Sequence, residues 1–148
     1  MAFRSDNEPT ADSKLAGVAQ LVVDGTDLVV HLTVREKIAG FHGDIRVPLT
    51  TIRSTSVPEY PWVALRGWRM AGIAFPGKIA VGTRRHGSGY DFTCVHKQER
   101  AVEIDVNSGR FSRFVISVPD SVDAQEEADR IADAAGVARS KPQPSDTI

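Results

Sequence analysis

The chain has 148 residues, 41% of them hydrophobic and 25% charged, which is the composition of one ordinary globular domain with room for a core. A formal net charge of −1 gives no general attraction for nucleic acid, and a single cysteine, Cys94, excludes an internal disulfide and any cysteine-rich zinc site. The opening MAFRSDNEPTADSK has no apolar block, and the best apolar run, IAFPGKIAVG, is too short to span a bilayer, so no signal peptide or membrane segment is expected and the cytoplasm is the expected compartment.

Residues 1–16 and 138–148 are polar and without periodicity and are expected to be disordered flanks of a domain over 17–137. Within it, Ala19–Val23 and Asp27–Leu32 are β-prone runs on either side of an Asp-Gly turn, a hairpin signal. Thr33 and Glu36 then stand at capping-box spacing, and a short helix is expected over Val34–Phe41, closed by Gly40 and Gly43. Asp44–Val47 and Ile52–Val57 are expected strands, with Pro48 at the bend and the second showing one face to solvent. The segment PEYPWVALRGWRMAGIAFPGK (58–78) holds three prolines and three glycines and is expected as an irregular connection with sharp turns.

Ile79–Val81 and Tyr90–His96 flank GTRRHGSGYDF and predict a second hairpin with the glycines at its turn. Ala101–Val106 alternates, NSG turns the chain, and Phe111–Val118 returns with Phe111, Arg113, Val115 and Ser117 on one face. Asp120 or Ser121 is expected to cap a final helix whose apolar stripe is Val122, Ala128, Ile131, Ala132 and Ala135, ended by Gly136. The sum is about seven strands, an inserted helix and a C-terminal helix, a mainly β (α+β) antiparallel barrel or roll.

The stretches EKIAGFHGDIRVPLTTIRS (36–54), PWVALRGWR (61–69), FPGKIAVGTRRHGSGYDF (75–92) and AVEIDV with FSRFVISVPD (101–120) resemble the pleckstrin-homology-like domains of small bacterial proteins. The resemblance covers roughly residues 17–135 and departs at Ala71, which precedes Gly72 where such sequences often carry proline. It implies a binding or assembly role without enzymatic activity. Domains of that superfamily bind anionic lipids, peptides or other domains, and some assemble into rings.

Charge is unevenly spread. From Tyr60 to Tyr90 there are five cations and no acid, whereas Pro119–Ile148 carries seven acids against three bases. Arg66, Arg69, Lys78, Arg84, Arg85 and His86 are therefore the candidate residues for an anionic group such as a lipid headgroup. The glycine-rich stretch is no phosphate loop: Gly82 and Gly87 have Walker spacing, but Ser88 stands where lysine is required. Cys94 and His96 project from one strand face, but two ligands close no tetrahedron, and no metal or cofactor is expected. No G-x-S-x-G elbow is present, and catalysis is the least supported class. The expected function is thus a protein-binding or self-associating module, with anionic-lipid binding through 66–86 or a small apolar-ligand cavity as alternatives, and no nucleic-acid partner.

Overall fold

The structure is a computed structural model that describes residues 19–33, 36–37, 43–75, 77–87, 89–97, 99–119 and 121–137. The expected disordered flanks and most of the expected helix over Val34–Phe41 lie outside these residues; Glu36 and Lys37 are helical. The described chain is mostly strand, arranged as two sheets and one α-helix.

The first sheet is the meander β1 (Gln20–Asp24), β2 (Asp27–His31) and β3 (Ile45–Pro48). Asp24 pairs with Asp27 across the two-residue turn Gly25-Thr26, in which Gly25 takes a left-handed φ of 64°, as glycine first in a two-residue hairpin turn does. The second sheet holds β4 (Ile52–Ser56), β5 (Trp68–Phe75), β6 (Ile79–His86), β7 (Gly89–His96), β8 (Ala101–Val106) and β9 (Arg113–Ser117) in the order β4-β8-β9-β7-β6-β5. A 3-10 turn, Leu49–Thr51, carries the chain from one sheet to the other. The helix α1 (Ala124–Ala135) follows β9 and packs against β4 and β8, where the buried Thr55 hydroxyl donates to the Ala128 carbonyl at 2.9 Å.

Six expectations are corrected. There are nine strands among the described residues rather than about seven, and they form two sheets rather than a closed barrel. The sheet is not wholly antiparallel, because β9 inserts between β8 and β7 and runs parallel to β7. The "irregular" 58–78 segment contains β5, and Gly82 lies inside β6, where the ladder of the β6–β7 hairpin runs out to the pair His86–Gly89. The α1 cap is Asp123, whose carboxylate accepts from the Gln125 and Glu126 amides at 2.9 and 3.2 Å, with Gly136 left-handed at the other end.

One core fills the space between the sheets. Leu28 and Val30 from the first sheet meet Phe92, Cys94, Ile104, Phe114 and Ile116 from the second, closed at one side by Ala128 and Ile131 of α1. Phe111 joins this core instead of the face carrying Arg113 and Val115, and packs edge-on against Phe92 and Phe114 at centroid distances of 5.7 and 5.4 Å. The reverse face of the large sheet has a smaller cluster of Val95, Ala101 and Val115, covered by Trp62, Ala64 and Leu65.

Candidate functional site

The segment preceding β5 is a strap across that reverse face. Prolines 58 and 61 hold it extended up to a 3-10 turn at Pro61–Ala64, after which polar contacts fasten it to the sheet. Arg66 forms a two-pronged ion pair with the buried Asp91 of β7, Nε to Oδ2 at 2.6 Å and Nη2 to Oδ1 at 3.1 Å. That pair holds the Arg66 guanidinium above its ordinary pKa, burial opposing the shift only in part. Arg84 donates to the carbonyls of Arg66 and Gly67 at 3.1 and 2.9 Å, and the Trp62 indole donates to the Lys97 carbonyl at 2.6 Å. Arg113 is shared by Asp105 at 2.8 Å and Glu103 at 3.2 Å. Burial above all, then the charge of Asp105, lifts the Glu103 carboxyl above its ordinary value despite the arginine.

The structure thereby divides the predicted basic site. Arg66 and Arg84 are engaged in fastening the strap, while Arg69, Lys78, Arg85 and His86 are exposed. Lys78 lies in the β5–β6 turn, at the far end of an eight-residue strand from Arg85 and His86, about 23–26 Å at 3.3 Å per residue. Arg69 pairs with Arg84 and Trp68 with Arg85, so Arg69 and Arg85 project from opposite faces. Arg85 stacks over Tyr90 at 5.8 Å. The six residues do not converge on one point.

What the strap delivers is the edge strand β5. Only β6 pairs with it, and its outer edge closes the order of the large sheet. A bulge between Arg69 and Ala71 makes Met70 the extra residue, so that Trp68, Ala71, Ile73 and Phe75 share the face of Arg85, Thr83, Val81 and Ile79. Trp68, Met70 and Phe75 are 63%, 50% and 59% exposed. The β5–β6 ladder also depends on a glycine pair. Gly72 and Gly82 face each other with φ of 105° and 143°, and a Cβ on either would fall 2.0–2.1 Å from the opposite carbonyl oxygen.

On the core-facing side, Cys94 and His96 of β7 meet an acid from the connection between the two β2–β3 strands. Glu36 and Thr33 form the expected capping box, the Thr33 amide donating to Glu36 Oε1 at 2.8 Å and the Glu36 amide to Thr33 Oγ1 at 3.2 Å. The other oxygen, Oε2, turns inward to His96 Nε2 at 2.7 Å and accepts from the Cys94 thiol at 3.0 Å. Sγ and Nε2 are 3.7 Å apart. Burial, then the Glu36 charge and hydrogen bond, push the Cys94 thiol well above its usual pKa. The thiol is therefore protonated, and Glu36 occupies the imidazole nitrogen that would have to act as its base. A cysteine nucleophile does not fit this geometry.

Sequence spacing locates Cys94 and His96 on one face, as found, but leaves Glu36 out of the set. The one available signal was an acid just after an apolar strand, and its capping role already accounted for it. His31 lies elsewhere, bonded through Nδ1 to Asp44 at 3.1 Å. Comparison with protein-family models, with curated proteins and with solved structures finds no match to this chain. Among the described residues no helix is long and apolar enough to cross a membrane.

Proposed function

We propose that this chain is a non-catalytic, pleckstrin-homology-like assembly module that pairs with a second copy of itself through the open edge of β5. The observation carrying this reading is the character of that edge. Edges are ordinarily blunted by lysine, proline or inward charge, yet Ala71–Phe75 has no charged residue along its regular, bulge-free part. Residues 71–75 are self-complementary for antiparallel pairing about Ile73, which sets each Phe75 opposite the small Ala71 of the other copy and leaves no like charges facing. The likeness to pleckstrin-homology-like domains has support in the C-terminal helix laid against a largely antiparallel sheet and none in the parallel β7–β9 pair. Carriage of a small apolar ligand has little support, since large side chains such as Phe92 and Phe114 fill the space between the sheets.

Five residues of added ladder supply a few hydrogen bonds of about 1 kcal/mol each plus aromatic burial, most of which an association cost of roughly 4–15 kcal/mol offsets, so the dimer is expected to be weak and to form only at high micromolar concentration. Sedimentation velocity across a concentration series tests it. Wild type is expected to shift from monomer to dimer, and Met70→Lys/Phe75→Lys to stay monomeric with an unchanged melting temperature. A wild type that stays monomeric at high micromolar concentration overturns the proposal. So does a monomer that floats with anionic but not zwitterionic vesicles, which would assign Trp68 and Arg85, which share a face, to a membrane surface.

A further inference from the structure

Glu36, Cys94 and His96 each offer one ligand atom, and the three atoms lie within 4.8 Å of one another. From this convergence we infer that the chain binds a divalent metal ion of the zinc class through Glu36 Oε2, Cys94 Sγ and His96 Nε2, with water in the fourth position. The donor set is what such an ion prefers: one thiolate, one imidazole and one carboxylate, leaving the site neutral when the metal carries two positive charges. Metal–sulfur distances of about 2.3 Å and metal–nitrogen or –oxygen distances of about 2.0–2.1 Å place tetrahedral ligand atoms roughly 3.3–3.6 Å apart. Sγ and Nε2, at 3.7 Å, already stand at that separation. Oε2 is too close to both and must withdraw by about half an ångström, a small movement for a side chain on a short helical turn.

The two strand ligands are held firmly. β7 is paired on both sides, with Cys94 opposite Val81 on β6 and Ile116 on β9, so the thiol and imidazole keep their relative position. Cys94 is wholly buried and the His96 side chain 16% exposed, which gives the site a closed side and one opening through the imidazole. The first carboxylate oxygen remains tied to the Thr33 amide, orienting Glu36 as an outer-sphere hydrogen bond orients a metal ligand. On binding, the thiol gives up its proton to solvent, the proton on Nε2 that bridges to Glu36 leaves so that the neutral imidazole carries its hydrogen on Nδ1, and the metal takes the place of the Glu36–His96 hydrogen bond. The consequence is a staple between the β2–β3 connection and the large sheet.

The test is titration of the untagged, metal-free full chain with cobalt(II), followed by competition with zinc(II). The expected result is saturation at one equivalent with a near-ultraviolet thiolate-to-cobalt charge-transfer band, its displacement by zinc, and a zinc-dependent rise in melting temperature. Cys94→Ala is expected to lose the band, and His96→Gln to weaken binding by at least about 10- to 100-fold. If Cys94→Ala fails to fold, the His96→Gln affinity and melting shift decide the matter. A wild type with no charge-transfer band and no zinc-dependent melting shift overturns the inference and leaves the cluster a hydrogen-bonded trio. Equal zinc stabilisation in wild type and His96→Gln overturns it as well.

Discussion

Replacing Arg66 by alanine should separate the strap from the sheet, and the structure sets the size of the effect. Asp91 retains 2% of its side-chain exposure and accepts both prongs of the guanidinium, so the substitution strands a desolvated carboxylate. Breaking a buried pair from one side costs about 3–5 kcal/mol, and because Arg66 is itself 29% exposed the lower end applies, about 3 kcal/mol. For a domain of this size that corresponds to a fall in melting temperature of about 10 °C. Adding Asp91→Asn removes the stranded charge while keeping its shape, so the double variant should recover at least about 1 kcal/mol relative to Arg66→Ala alone. Urea denaturation, with the slope checked to be the same in all variants, reads both quantities. A loss below about 1 kcal/mol for Arg66→Ala, or a double variant no more stable than the single, would refute the argument that a desolvated ion pair fastens the strap.

Two further substitutions follow from the same face and its ladder. Glu103→Gln is expected to be neutral or stabilising by up to about 1 kcal/mol at pH 7, even though it removes a carboxylate 3.2 Å from Arg113. Its folded-state pKa is raised, so wild-type stability from this group is fully present below the unfolded value of 4.5 and is lost as pH rises through the folded value; the advantage of glutamine should shrink on acidification towards that value, and a variant that is destabilised at neutral pH would contradict it. Gly82→Ala should destabilise by more than about 2 kcal/mol and loosen β5, because its Cβ would sit 2.1 Å from the Ala71 carbonyl oxygen; hydrogen exchange confined to β5 and β6 reads this, and unchanged protection of β5 would show that the ladder can absorb a side chain.

What was legible in the sequence was local. β1, β2 and β8 alternate or flank an Asp-Gly turn, and the capping box and terminal Gly136 mark chain reversals that need no distant partner. β5 was illegible for a physical reason. Its glycines and flanking prolines carry the composition of a loop, and Gly72 is needed only because Gly82 lies across from it. The pairing of β9 with β7 leaves no trace in either strand, since both are buried runs that suit any central position. Charge runs misled in the same way. Five cations without an acid look like one surface until Asp91, just beyond that run, is found to hold Arg66 and two backbone carbonyls to hold Arg84.

The open edge and the buried cluster are neighbours, and this bears on how their tests are interpreted. Phe75 pairs with Ile79, and Ile79 with His96, so the three form one row across β5, β6 and β7. At about 4.8 Å per strand, the imidazole lies roughly 10 Å from the edge residue in the plane of the sheet. A metal ion joining Glu36 to β7 would stiffen the row on which Phe75 stands without touching Phe75 itself. The two readings nonetheless fail independently. Met70→Lys/Phe75→Lys leaves every ligand atom in place, and His96→Gln leaves the β5 edge intact. Loss of dimer with cobalt binding retained isolates the edge, and loss of cobalt binding with the dimer retained isolates the cluster. A dimer that strengthens only when metal is present would show that the row transmits order from one to the other, because the ion makes no contact across the edge and can act on it only through the strands between.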